Sequence, residues 1–132
     1  MYNWLSEVVE DKGEQMVGKL GKVYMFGIVD KNDKEFPITL DFEDGKGNFY
    51  IGDPREPEKW NVPEKGEKLK IACKITMSEK DFHGLLDQTL DIRKAIFSRR
   101  LKISGGIGGI KEANRLVNEF LKPYMIDTWA EA

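Results

Sequence analysis

The 132-residue chain contains one cysteine, one histidine and no long hydrophobic run. A single cysteine excludes an intramolecular disulfide, and no apolar stretch approaches the roughly 20 residues that cross a bilayer. The N-terminal sequence MYNWLSEVVEDKGE is too acidic for a signal peptide, and the C-terminal TWAEA is neither a peroxisomal nor a retention signal. We therefore expect a cytoplasmic protein that forms a single domain over residues 1–132.

Side chains that commonly carry catalysis are equally scarce. The only histidine, His83, follows Phe82 on a short predicted helix, and no motif places a nucleophile beside it. Cys73 falls on the inward side of an alternating strand, which is typical of a buried core thiol. No spacing selects a pair of carboxylates. We expect a protein that is not an enzyme, holds no metal or cofactor, and does not depend on His83 or Cys73.

The glycine-rich stretch GGIGG, residues 105–109, has the outline of a phosphate-binding loop but lacks its chemistry. A Walker loop requires Gly-Lys followed by Ser or Thr, and none is present. A dinucleotide fingerprint requires G-x-G-x-x-G, whereas Lys111 stands at the third glycine position after Gly106 and Gly108. These glycines are better explained by a sharp turn from a strand into a helix.

The net charge of −2 conceals a basic segment. Residues 93–122 hold eight basic residues against two acidic ones, and residues 93–102 hold five basic residues and no acid. Such a segment is either a solvated face or an attractor of anions. Its only aromatic residue between 93 and 102, Phe97, is predicted to face the core, so we do not expect nucleic-acid binding.

Hydrophobic periodicity predicts helices, a run of antiparallel-type strands, and further helices with one late strand. A helical region over 2–18 is interrupted by Gly13, and a helix over 110–121 is stopped by Pro123. Ser78 is predicted to cap one short helix, and Asp91 is predicted to cap a second one. The predicted strands are 22–30, 36–42, 48–51, 69–77 and 101–103, with a proline-rich loop over 52–68. This order is typical of an α+β sandwich of a sheet with helices.

Three motifs lie in the segment 75–116: a threonine, serine and acidic run into a helix, a Leu-Asp-x-x-Lys-Ala stretch, and a Leu-Lys-hydrophobic-x-Gly stretch. Their residues are Thr76, Ser78, Glu79, Asp81, Phe82, Leu90, Asp91, Lys94, Ala95, Phe97, Leu101, Lys102, Ile103, Gly105 and Gly108. These motifs resemble the sterol carrier protein 2 family, and with the earlier strands the resemblance covers roughly residues 14–122. The resemblance implies a five-stranded, mainly antiparallel sheet covered by helices, with an apolar tunnel between them.

The same resemblance implies binding and transfer of a sterol, fatty acid, acyl-CoA or phospholipid without chemistry. From it and from the inward faces we expect the lipid to contact Leu86, Ile96, Phe97, Ile103, Ile107, Ile110, Leu116, Val117 and Phe120. We expect an anionic head group or an anionic membrane surface to contact Arg93, Lys94, Arg99, Arg100 and Lys102. The alternative is a regulatory or dimerisation module of the same fold without an open lipid site, and a homodimer remains open.

Overall fold

The computed structural model describes residues 2–43, 45–62, 69–86, 90, 94–95, 98–105 and 108–126. The helices are α1 (Tyr2–Lys19), α2 (Pro57–Trp60), α3 (Glu79–Leu86), α4 (Gly109–Leu116) and a π-helix, π1 (Val117–Ile126). The strands are β1 (Val23–Val29), β2 (Glu35–Asp41), β3 (Asn48–Ile51), β4 (Ile71–Ser78) and β5 (Lys102–Ser104). Within these parts of the chain, none of the helices combines the length and hydropathy needed to cross a bilayer.

The strands form one five-stranded sheet in the order β3-β2-β1-β4-β5. Three neighbouring pairs are antiparallel, as expected, but β1 and β4 run parallel at the centre of the sheet. The strand β1 is buried almost throughout, as its continuous apolar sequence predicts. β3 pairs with β2 only from Ile38 onward, so Pro37 lies just outside this pairing, where its missing N–H costs little.

The main core lies between one face of the sheet and the helices. Tyr24, Phe26 and Ile28 project from β1 into it, and the rings of Phe26 and Phe82 meet with centroids 5.3 Å apart. The opposite face carries the ion pair between Lys74 and Glu35, which packs over Gly27. The two faces therefore differ, because the first packs apolar side chains under the helices and the second carries an ion pair over Gly27.

Two expectations about helix ends are wrong. α1 is continuous through Gly13, whose position faces Lys46 so closely that a Cβ would lie 2.2 Å from the carbonyl oxygen. Gly13 therefore serves close packing and does not interrupt the helix. Pro123 lies inside π1 instead of ending the helix before it. An α-helical proline clashes with the carbonyl of residue i−4, whereas π hydrogen bonds join residue i to i−5 and change that approach.

Other local predictions are confirmed. The hydroxyl of Ser78 accepts a hydrogen bond from the backbone N–H of Asp81 at 3.0 Å and caps α3. Gly105 has φ of +138°, and a Cβ there would lie 2.7 Å from the carbonyl oxygen of Ala72. The first glycine of GGIGG thus permits β5 to leave the sheet across β4. Gly106, Ile107 and the predicted cap Asp91 lie outside the described residues.

Candidate functional site

An apolar seam runs between α4–π1 on one side and β4, β5 and α3 on the other. We define it by its lining residues, which are Ile75, Met77, Leu85, Leu101, Ile103, Ala113, Asn114, Val117 and Leu121. Its free volume is about 20 Å³, close to the space of one water molecule. All lining side chains except that of Asn114 are apolar, so the seam offers hydrophobic contact with little competing polarity.

The structure places four of the expected lipid contacts in or beside this seam. Ile103 and Val117 line it directly. Leu116 and Phe120 are completely buried on the neighbouring stripe of the same helix pair, where the ring of Phe120 lies 5.2 Å from that of Phe42. The helix pair therefore has one stripe facing the seam and another fixed into the core.

Ile110 is a correction, because its side chain is 64% exposed and does not line the seam. The helix approaches β5 through Gly109, where a Cβ would be in ordinary contact with Ser104 and Ile103, and this orientation turns Ile110 to solvent. The side chain of Leu86 and the residues Ile96, Phe97 and Ile107 lie outside what the structure describes.

The sequence contained a signal for most of the seam residues that were not assigned to the site. Ile75 and Met77 lie on the inward side of the alternating strand, and Leu85 lies on the apolar stripe of α3. Leu101, Ala113 and Leu121 are likewise buried apolar positions. What the sequence did not provide was the pairing of β4 with β5, which brings these positions beneath one helix.

Four of the five basic residues expected to meet a head group or membrane lie among the described residues. Lys94, Arg99 and Lys102 are exposed, and we call these three residues the basic patch. Arg100 is committed to an ion pair with Asp81, which is almost completely buried in α3. The Arg100 side chain is still about half exposed, so its expected contact with a head group or membrane stays a prediction. Arg93 lies outside the described residues.

A buried polar group on α4 was not predicted. The Glu112 cluster consists of Glu112, Lys22, Tyr24 and Arg115. One carboxylate oxygen of Glu112 accepts a hydrogen bond from Lys22 Nζ at 2.8 Å, and the other accepts one from the Tyr24 hydroxyl at 3.0 Å. Glu112 is only 8% exposed. Sequence spacing gives no signal for it, because its main partners precede it by about 90 residues.

Hydrogen bonding sets the protonation states in this cluster. Burial raises the pKa of Glu112, but hydrogen bonds from Lys22 and Tyr24 and the charges of Lys22 and Arg115 outweigh it, and the net pKa is lowered. Burial, followed by the hydrogen bond to Glu112, raises the pKa of Tyr24. At neutral pH the cluster is therefore an ionised carboxylate that accepts hydrogen bonds from Lys22 and from a protonated tyrosine.

Two larger cavities are lined by charged side chains. One, of about 360 Å³, lies beside the Glu112 cluster and is bordered by Lys22, Lys70 and Glu43. The other, of about 570 Å³, lies at the opposite end of the strands near Asp30, Glu79 and His83. Both carry charges of both signs, so neither has the apolar lining that an acyl chain or sterol requires.

The candidate catalytic side chains are not arranged for chemistry. Cys73 is buried, as predicted, and its burial and then the charge of Glu112 raise the thiol pKa to about 11. His83 lies on the surface of α3, with Nε2 4.0 Å from Glu79 Oε1. In the described parts of the chain, His, Cys, Asp and Glu form no group of three or more that could hold a metal ion.

Comparison with known proteins relates this sequence and fold to a family. The curated human sterol carrier protein 2 is 29% identical over 124 residues, which are 93% of this chain, and the chain spans about 20% of that relative's length. The solved apo sterol carrier protein 2 of Yarrowia lipolytica has a TM-score of 0.67 at 17% identity, with 92% of this chain and 89% of that chain covered.

A second solved structure is the sterol carrier protein domain 2 of Helicoverpa armigera, with a TM-score of 0.62 at 22% identity and coverage of 97% of this chain and 84% of that one. These two likenesses concern the fold. The sequence model of the SCP-2 sterol transfer family matches residues 3–118. The chain therefore belongs to the SCP-2 sterol transfer family, as the resemblance over residues 75–116 indicates.

Proposed function

We propose that this protein binds a single long-chain lipid in the apolar seam and transfers it between membranes without altering it. The observation that carries the proposal is the seam itself, a strip of apolar side chains between the helix pair α4–π1 and the sheet. Membership of a lipid-transfer family supports the same assignment. We further propose that the carrier acts in the cytoplasm.

The physical basis for binding is hydrophobic burial. Each methylene removed from water contributes about 0.8 kcal/mol, so a chain of about fourteen methylenes offers on the order of 10 kcal/mol before the costs of binding. The seam's volume of about 20 Å³ cannot hold such a chain. We therefore propose that α4–π1 separates from β4 and β5 on binding, and that the lipid replaces contacts that the apolar side chains otherwise make with one another.

The class of lipid remains a proposal within the family's range of sterols, fatty acids, acyl-CoA and phospholipids. The seam supplies one polar side chain, Asn114, and no cation. We propose that an anionic head group or an anionic bilayer is met by the exposed basic patch instead. In this arrangement the seam provides affinity for the chain, while the patch provides attraction to the surface.

A pair of variants on one helix tests the seam. Val117→Glu places a carboxylate on the seam, where it is costly to bury without a partner, and should abolish saturable binding of a fluorescent fatty acid and a fluorescent sterol to delipidated protein. Ile110→Glu introduces the same group at an exposed position and should bind as the wild type does.

Circular dichroism must show that both variants are folded. Equal binding by Val117→Glu and the wild type would exclude the seam as the lipid site. If the wild type binds none of the lipid classes, the protein is better described as a regulatory or dimerisation module of this fold.

A further inference from the structure

The helix pair α4–π1 carries two buried stripes that contact different parts of the molecule. Ala113, Val117 and Leu121 face the seam. Glu112, Leu116 and Phe120 form the other stripe, and we call it the fixed stripe. The positions in each stripe are four residues apart and therefore lie above one another along the helix. A rotation about the fixed stripe would open the seam without removing the helix from the protein.

The fixed stripe is held by different interactions at its two ends. At the start, Glu112 accepts hydrogen bonds from Lys22, which immediately precedes β1, and from Tyr24, which lies in β1. Farther along, the ring of Phe120 packs on Phe42 at the end of β2. The directional hydrogen bonds at Glu112 fix the orientation of the helix more precisely than apolar contact does.

A second connection runs from the same turn to α1. Arg115 contacts the carboxylate of Glu112 at 3.3 Å and donates a hydrogen bond to the carbonyl oxygen of Lys19 at 3.1 Å. Lys19 also lies 3.8 Å from Glu119. The Glu112 cluster thus joins α4 to the end of α1 and the start of β1, on the side away from the seam.

We propose, on the basis of the function proposed above, that Glu112 is a positioning residue and that its cluster is the fixed point about which α4–π1 rotates when the seam takes up a lipid chain. A buried carboxylate that loses its partners is strongly unfavourable, so this contact persists while the seam opens. The cluster then sets how far the helix pair separates from the sheet and how fast a bound lipid escapes.

The charged surroundings of Glu112 predict the pH range in which the Glu112 cluster is intact. Lys22 and Tyr24 face the Glu112 carboxylate from the start of β1. Arg115 lies on the same helix as Glu112, and Cys73 faces the carboxylate from β4. Glu43 and Lys70 border the adjoining cavity. Because the pKa of Glu112 is lowered from its ordinary value of 4.5, the cluster is complete above that pH and is lost only as the pH falls through the lower, folded-state pKa.

Lipid release from Glu112→Gln measures the role directly. Release of the fluorescent fatty acid cis-parinaric acid is followed by stopped flow after mixing with acceptor vesicles, and binding is followed separately. Glu112→Gln should raise the dissociation rate constant about tenfold and change the association rate constant much less, because the loaded protein loses the charged hydrogen bond that limits how far the helix pair separates from the sheet. Tyr24→Phe should raise it in the same direction by a smaller factor.

The matched control is Glu35→Gln, which breaks a carboxylate–lysine hydrogen bond of 2.6 Å on the opposite face of the sheet. Its dissociation rate constant should equal that of the wild type. In addition, wild-type release should be constant from pH 7 to pH 5 and accelerate below the ordinary Glu112 pKa of 4.5, whereas Glu112→Gln should be fast at every pH. A variant that only lowers the stability of the fold would keep this pH dependence.

The outcomes separate this inference from the function on which it rests. If the wild type binds cis-parinaric acid but folded Glu112→Gln releases it at the wild-type rate, the positioning role is wrong and the lipid site stands. If the wild type binds no lipid, both are wrong. If Glu112→Gln does not fold, Tyr24→Phe decides: unchanged release at neutral pH overturns the inference.

Discussion

At the residue scale, the sequence pattern predicted the burial of Cys73, and this burial makes the thiol unreactive. The alternation of the strand 69–77 predicts an inward thiol, and the side chain is completely buried. With a pKa raised to about 11, the thiol is protonated at neutral pH and is a poor nucleophile. Glu112 was not predictable in this way, because a buried carboxylate depends on partners that are distant in the sequence.

This environment predicts that the double variant Cys73→Val, His83→Gln transfers lipid like the wild type. Valine approximates the volume of the thiol, and His83 is about half exposed, so neither change should cost more than about 1.5 kcal/mol of unfolding free energy. The measurement is the rate of fluorescent lipid transfer between vesicles, with urea unfolding as the control. A folded double variant that has lost transfer would reopen the question of catalysis.

At the scale of elements, local patterns predicted the strands well and the helix boundaries less well. The continuous apolar sequence predicts β1, and the alternating apolar sequence predicts β4. The short strand β5 is predicted from the few residues that precede the glycine-rich stretch. The sequences of β1 and β4 do not predict that these two strands pair in parallel, because the choice of partner depends on the whole sheet. The continuation of the last helix as π1 past Pro123 departs from the ordinary effect of proline.

Two glycines in α1 predict opposite effects of the same substitution. Gly13→Ala should destabilise the protein, because the new Cβ would lie 2.2 Å from the carbonyl oxygen of Lys46. Gly18→Ala meets no atom within 4 Å and should stabilise α1 by up to about 1 kcal/mol through helix propensity. Urea unfolding of both variants gives the comparison. A stabilising Gly13→Ala would mean that Gly13 does not contact Lys46 in this way.

At the scale of the whole molecule, the sequence predicted the family and the sheet but not the state of the lipid site. The motifs between Thr76 and Gly108 identify a fold whose strands and helices the structure confirms. An apolar tunnel between sheet and helices was expected, and among the described residues the apolar space there is a narrow seam. A closed apolar interior lowers the free energy when no ligand is present, so packing and not the sequence pattern decides how much space remains.

If the protein carries lipid as proposed, the distribution of charge over the molecule predicts which end of it meets a membrane. Arg99 and Lys102 are exposed near the end of the sheet where β1 and β4 finish, whereas Lys46 and Lys70 are exposed at the opposite end. A cation beside an anionic bilayer contributes about 1 kcal/mol, so replacing two should weaken attraction at low salt by about 2 kcal/mol. The double variant Arg99→Gln, Lys102→Gln should therefore transfer lipid to anionic vesicles more slowly.

Salt distinguishes this attraction from a general loss of function. Surface attraction is screened within a Debye length of about 10 Å at 0.1 M salt, so wild-type transfer to anionic vesicles should slow as salt rises, and transfer to neutral vesicles should not. The Arg99, Lys102 variant should lose most of this salt dependence and keep its affinity for a fatty acid. The control Lys46→Gln, Lys70→Gln removes the same charge at the other end of the strands and should behave like the wild type. If both double variants respond to salt equally, the net charge matters and the position of the basic patch does not.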